Sequence, residues 1–299
     1  MIFQYILIEV LILTAIVSGN NISIAIGALV GSNTLNKNFS KIFGAVGFIT
    51  GLYFGSKFMN EAFKSLFPQS HLFLLLSLSA TIAIFVFAQS ARAPLSLTMV
   101  LTGIGFGYTL SKGIFPLLGI KIVMMWIFAP LIAFYLAYML MKLYNKIRIK
   151  NIWNGIRTIK ILIILFSFFS AFTLGENTLG LLYSITGYSS INFILLSLSI
   201  FVGSYFLSES VLRRIGFEFY LMRYSTGLIS NIVSSLLVEI ATLFSIPLSN
   251  TQTMTLGIIG SGYSLKTRLF SLKPLIKILI VWIISPLSGI FFGMIITYL

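Results

Sequence analysis

Pro247-Leu248-Ser249-Asn250-Thr251-Gln252 has a weaker copy in the first half of the chain, Pro94-Leu95-Ser96-Leu97-Thr98-Met99. Each copy follows a long apolar segment and leads into a glycine-spaced apolar segment. About seventy residues upstream of each stands a group of small residues with an asparagine, Ser18-Gly19-Asn20-Asn21 in one half and Gly175-Glu176-Asn177-Thr178 in the other. Downstream, Trp126 precedes Pro130 and Trp282 precedes Pro286 at the same four-residue spacing. The chain therefore reads as two halves built on one plan.

Composition fixes the solvent. Of 299 residues, 58% are hydrophobic and only 9% charged, with a mean hydropathy of +1.04; soluble domains carry roughly 25% charged residues. Apolar runs near the ~18 to 20 residues that span hydrocarbon recur throughout, so the chain is a polytopic protein of the plasma or inner membrane. Ile2 to Val17 lacks the basic flank of a signal peptide and reads as a retained helix. The formal net charge of +14 falls in loops between apolar spans and not on a stripe, so no nucleic-acid partner is expected. Lys142, Lys146, Arg148, Lys150, Arg157 and Lys160 cluster without an acid, which places the loop 142–160 on the cytoplasmic side. The same charges suit anionic lipid headgroups. There is no cysteine, hence no thiolate metal site, and no aspartate; the six acids are Glu9, Glu61, Glu176, Glu209, Glu218 and Glu239. No nucleotide loop, catalytic triad or His/Glu metal cluster is present, and neither enzyme activity nor a resident cofactor is expected.

Taken in order, the first half holds an apolar run to Val17, a predicted break at Ser18 to Asn21 and a short continuation to Ser32. A Gly-rich helix over 43–58 follows, then an amphipathic stretch with Lys57, Glu61 and Lys64. Leu72 to Gln89 spans, Arg92-Ala93-Pro94 ends it, and the glycine-rich Ser96 to Tyr108 is short enough to be a re-entrant half-helix. Ile120 to Tyr144 closes the half. The second half repeats this: Ile161 to Leu174, a predicted break at Gly175 to Thr178, a continuation to Ser189, the span 192–207, an amphipathic stretch 209–223 with Arg213, Arg214 and Glu218, the span 228–246, the half-helix 249–263, and a closing span 275–299. The predicted division is a first repeat over 1–141, a basic linker over 142–160 and a second repeat over 161–299. Matched pairs of interrupted apolar segments point to a secondary transporter with internal repeats, and an odd number of crossings per half makes them inverted. The fold expected is an all-α integral membrane bundle of two inverted repeats with broken or re-entrant half-helices.

The proline motifs carry the chemistry. Hydroxyls at Ser96 and Thr98, and at Ser249 and Thr251, flank helix starts, where unpaired N–H groups and the helix dipole favour an anion. Two such starts near the midplane surround a tetrahedral oxyanion with neutral donors, and Asn250 lies between the hydroxyls of the second. Simple capping of each helix by serine or threonine is the plainer alternative. Asn20 and Asn177, with Asn21 and Thr178, line a cavity for substrate or ion if the breaks open one; interhelical hydrogen bonding is the alternative there. Ionisable groups in apolar runs are functional candidates. Arg92 offers a bidentate donor to an oxyanion or snorkels to a headgroup; Glu176, within a break, is the acid best placed to exchange a proton, while Glu9 or Glu239 neutralises Arg92. His71 reads as interfacial.

At these residues the chain resembles the inorganic phosphate transporter (PiT) family, which carries Gly-Ala-Asn-Asp-Val-Ala-Asn in each half and Pro-Val-Ser-Thr-Thr-His at the half-helix starts. Ser18 to Ile24 and Gly175 to Leu181 match the first motif, Pro94 to Met99 and Pro247 to Gln252 the second. Gly103, Gly107, Gly260 and Gly262 fall where the family places glycine. The resemblance implies an inverted-repeat bundle, a homodimer, and carriage of phosphate with sodium or protons (Na+ or H+) as coupling ion. Asn21 and Thr178 stand at the family's aspartates, Ile24 and Leu181 at its second asparagines, and Met99 and Gln252 at its histidines. Loss of carboxylates removes the strong ligands of a hard cation. Sulfate, of the same shape, is the alternative substrate; a transport-deficient regulatory protein and a passive anion channel are the alternative functions.

Overall fold

In hydrocarbon every backbone N–H and C=O must be paired within its own segment, which turns each apolar run into a helix. A computed structural model describes residues 2–90, 96–147, 151–209, 224–265 and 272–299. Its helices are α1 (Ile2–Gly31), α2 (Lys37–Gly55), α3 (Asn60–Leu66), α4 (His71–Ser90), α5 (Leu97–Ser111), α6 (Leu117–Tyr144), α7 (Ile152–Leu174), α8 (Gly180–Thr186), α9 (Ser190–Val202), α10 (Tyr224–Leu243), α11 (Asn250–Ser264) and α12 (Leu272–Ile296). A 3-10 turn, Ser56–Met59, joins α2 to α3, and π turns at Gly175–Leu179 and Gly203–Leu207 follow α7 and α9. Among the described residues, seven helical stretches are long and apolar enough to cross a membrane.

Several expectations are corrected. Ser18 to Asn21 do not interrupt α1, which is continuous from Ile2 to Gly31. The small residues serve packing instead: a Cβ on Gly19 would lie 2.7 Å from Gly203 O and from Leu207 Cβ, and Ser18 Oγ donates to Ala15 O at 3.1 Å. The second break is a π turn and not an unwound segment, so its carbonyls stay within helical hydrogen bonding. Nor is 142–160 one loop. α6 runs to Tyr144, and α7 starts at Ile152, where Asn151 Oδ1 accepts from Trp153 N and Asn154 N. Arg92, Pro94, Arg213, Arg214 and Glu218 lie outside the described residues.

The two halves interlock. α5 packs along α12 and α11 along α6, while α2 packs on α7 and α1 on α9. Each of these pairings joins an element of one half to an element of the other, and exchanging the halves turns each pairing into its counterpart. Close approach along α5 and α12 depends on glycine: a Cβ on Gly107 would sit 2.2 Å from Ile290 O, and one on Gly293 2.1 Å from Ile104 O. In the matching pair, a Cβ on Gly260 would lie 2.1 Å from Phe134 O, with Ala129, Ala133 and Ala137 of α6 fully buried. Helices without a water-driven attraction associate in this way through small residues. At one face of the bundle the end of α1, the end of α6 and the starts of α7 and α10 gather around a cleft of about 590 Å³, lined by residues including Ser32, Tyr144, Ile159 and Ser225.

Candidate functional site

Both proline motifs fold into the same small structure. α5 and α11 are each 15 residues long, about 22 Å at 1.5 Å per residue, too short for the roughly 30 Å hydrocarbon core. Ser96 and Ser249 occupy the N-cap positions in extended conformation, yet neither side chain caps its helix. The hydroxyls pair with each other instead: Ser96 Oγ lies 2.8 Å from Thr98 Oγ1, and Ser249 Oγ 2.7 Å from Thr251 Oγ1. Simple capping does not account for these residues. Each helix start keeps free N–H groups next to a pair of hydroxyls that can turn their protons outward, an arrangement suited to an anion. Ser96, Thr98 and Ser249 are buried and Thr251 is half-buried.

The turn before α11 is held from three sides. α10 ends with Ile246 N donating to Ala241 O and Ser245 N to Thr242 O, the bonding of a Schellman motif. Its left-handed position is taken by Ser245, φ 57°, at a cost of about 1–2 kcal/mol for a residue with a Cβ; Ser245 Oγ donates to Phe58 O at 2.6 Å and offsets it. Trp126 Nε1 on α6 donates to Pro247 O at 3.0 Å. Trp282, its counterpart on α12, has a buried Nε1 without a partner.

The third support is Asn177, fully buried in the π turn. Its Nδ2 donates to Thr242 Oγ1 at 2.9 Å and to Ile246 O at 3.0 Å, and its Oδ1 accepts from Leu248 N at 3.1 Å. The amide thus clamps the chain on both sides of Pro247 and fixes where Ser249 stands. Asn250 Oδ1 accepts from Ser234 Oγ on α10, which orients the amide and leaves Nδ2 as a buried donor without a partner. Gln252 Oε1 is likewise a buried acceptor without one.

Sequence reasoning found the span of α10 but missed its polar face. Thr226, Ser230, Asn231, Ser234, Ser235 and Thr242 are all fully buried on this membrane-spanning helix. Ser234 Oγ lies 2.6 Å from Thr253 Oγ1; Asn231 Nδ2 donates to Ser167 Oγ at 3.0 Å and to Ala25 O of α1 at 3.4 Å. The signal was present as a polar stripe at helical spacing within an apolar run. On α1, Asn20 and Asn21 are half-buried, next to the buried stretch that meets α10 and α11. Thr178 is buried in the π turn beside Asn177.

Of the acids, Glu176 is 2% exposed with Oε1 unpartnered, and its carboxyl meets that of Glu239 on α10. Glu9 accepts from Ser79 Oγ of α4 at 2.5 Å; its expected partner Arg92 lies outside the described residues. Beyond the end of α9, Glu209 binds Lys37 and, at 3.0 Å, Lys41. Hydrogen bonds from Lys37 and then Lys41 pull its carboxyl down to about 2, so Glu209 stays ionised across the physiological range.

Residues 157–293 match the model of the phosphate transporter family. Over 281 residues, 94% of this chain and 92% of the relative, the chain is 26% identical to a protein of Methanocaldococcus jannaschii named "Putative phosphate permease". Its fold matches a solved structure titled "The sodium-dependent phosphate transporter", with a TM-score of 0.84 and 14% identity over 99% of this chain and 98% of that one. Membrane-spanning helices and fold agree: the chain is a multi-pass protein of the cell membrane with the fold of that transporter, and its second half matches the phosphate transporter family model.

Proposed function

We propose that the chain is a permease of inorganic phosphate that works by alternating access around one midplane site. Ser96, Thr98, Ser249, Asn250 and Thr251 hold the oxyanion, Asn20, Asn21 and Thr178 line the same cavity, and Asn177 positions the second helix start. The observation that carries this reading is the pair of hydroxyl couples, alike in both halves and both released from capping. Hydrogen phosphate retains an O–H donor where sulfate has none, and the buried acceptor Gln252 Oε1 favours phosphate.

Rocking of one half against the other requires repeats of opposite sense, here 1–141 and 161–299, joined through the end of α6 and the start of α7. Inversion is supported by the gathering of the end of α1 and the beginning of α7, the first helix of each half, at one face. The basic residues of 142–160 put that face in the cytoplasm. From its cleft the polar face of α10 leads past Ser230 and Ser234 to Asn250, the route we assign to release. We take the functional unit to be a homodimer in the lipid bilayer. Neutral Asn21 and Thr178 in place of two family aspartates favour a second reading, a protein that kept the fold and lost transport.

Uptake of labelled phosphate and sulfate into proteoliposomes, with and without sodium or a pH gradient, separates these. Concentrative phosphate uptake, abolished by joint Ser249→Ala and Thr251→Ala substitution, is the expected outcome. No uptake of either oxyanion contradicts the permease and supports the second reading; current without accumulation makes it a channel.

A further inference from the structure

Glu176 and Glu239 are two carboxyls placed against each other inside the membrane-spanning part of the bundle, one in the π turn after α7, the other on α10. Each keeps an oxygen, Glu176 Oε1 and Glu239 Oε2, that is buried and has no hydrogen-bond partner. Room for Glu176 exists because α2 ends in glycine: a Cβ on Gly55 would lie 1.9 Å from Glu176 Oε2. Among the described residues no opposite charge balances the pair. On the elements packed around the π turn, Lys37 and Lys41 are bonded to Glu209, Lys57 and Arg157 are exposed, and Lys160 lies at the far end of α7. Tyr183 donates to Ser189 O at 3.0 Å, and on α6 Lys121 and Lys142 are exposed. Among the described residues no further acid, imidazole or thiol joins the pair to make a metal site.

Two facing carboxylates in a low-dielectric interior cannot both be charged, and one proton between them removes a charge and makes a hydrogen bond at once. We propose that the Glu176–Glu239 pair is the proton-carrying site of this transporter, taking up one proton as O–H···⁻O between the carboxyls and releasing it to water in the course of each cycle. The proposal rests on the phosphate-transport reading above and supplies its coupling ion. The link to the anion is short. Glu176 precedes Asn177, whose amide bonds Thr242, one turn beyond Glu239 on α10, and also Ile246 O and Leu248 N beside the Ser249–Thr251 hydroxyls. Loading or losing the proton changes the repulsion between the π turn and α10, and the clamp that connects those two elements sets the start of α11.

Two measurements test this together. The first is the ratio of phosphate uptake with an inward proton gradient to uptake without one, in proteoliposomes of the wild type, Glu176→Gln and Glu239→Gln. The second is the pH-difference infrared spectrum of the same purified proteins in lipid, which needs no transport. We expect a wild-type ratio of about tenfold falling to one in both variants, with a titrating protonated-carboxyl band that each variant loses. Uptake driven by sodium and indifferent to the proton gradient, or a gradient response that both variants keep, overturns the coupling role and leaves the permease standing. A spectrum without a titrating carboxyl overturns the proton site itself. A titrating pair in a protein that carries no phosphate contradicts the permease reading and, with it, the coupling.

Discussion

Asn177 is the residue on which the site's geometry turns. A buried amide that donates twice and accepts once is close to its full capacity, and it spends that capacity on the backbone around Pro247 and on Thr242. Asn177→Ala leaves Ile246 O and Leu248 N buried without this partner, at about 1–3 kcal/mol for an orphaned group. The expected result is a thermal midpoint in detergent several degrees below wild type together with loss of phosphate uptake; an unchanged midpoint would show that the clamp holds nothing. The hydroxyls at Ser96, Thr98, Ser249 and Thr251 were legible in the sequence because they recur at one offset from a proline. The work of Asn177 was not, since its partners Thr242, Ile246 and Leu248 lie 65, 69 and 71 residues away and only the folded chain brings them together. Glu239 was legible as an acid in an apolar run but not as the companion of Glu176, for the same reason.

At the scale of elements, length and composition foretold the half-helices: α5 and α11 are short, glycine-spaced and follow proline, as expected of segments that do not span. The breaks fared differently. Small residues and asparagine read alike whether a helix unwinds, bulges or is merely approached closely, and here α1 runs straight through Ser18 to Asn21 while α7 passes into a π turn. Which outcome holds is decided by the neighbour, Gly203 and Leu207 against Gly19 in one case and Phe48 against Gly175 in the other. The seam between half-helix and closing helix makes a prediction of its own. Gly107→Ala and Gly260→Ala force a Cβ to 2.2 Å from Ile290 O and 2.1 Å from Phe134 O, overpacking that costs about 1–3 kcal/mol. Gly257→Ala meets Ser230 at 3.5 Å, an ordinary contact. Unfolding midpoints should fall for the first two and hold for the third; equal effects at all three would refute the close approach.

For the whole molecule, the repeated motifs in the sequence announce two halves of one plan but not that the halves exchange partners. Each half-helix lies along the other half's closing helix, so neither of the two helix starts proposed to bind the anion is built by its own half alone, and a movement of one element carries a wall of the opposite motif with it. That coupling of the halves is what one shared site requires, and it gives the account its sharpest test. Binding of labelled phosphate to the purified wild type should be compared with two double variants, Ser96→Ala with Thr98→Ala and Ser249→Ala with Thr251→Ala. Hydrogen bonds to a charged group contribute about 1.5–3 kcal/mol each, so each double variant, losing two, should bind on the order of a hundredfold or more weakly, one half as much as the other. Phosphate bound as tightly by a folded double variant of either half as by the wild type would contradict the two-sided site.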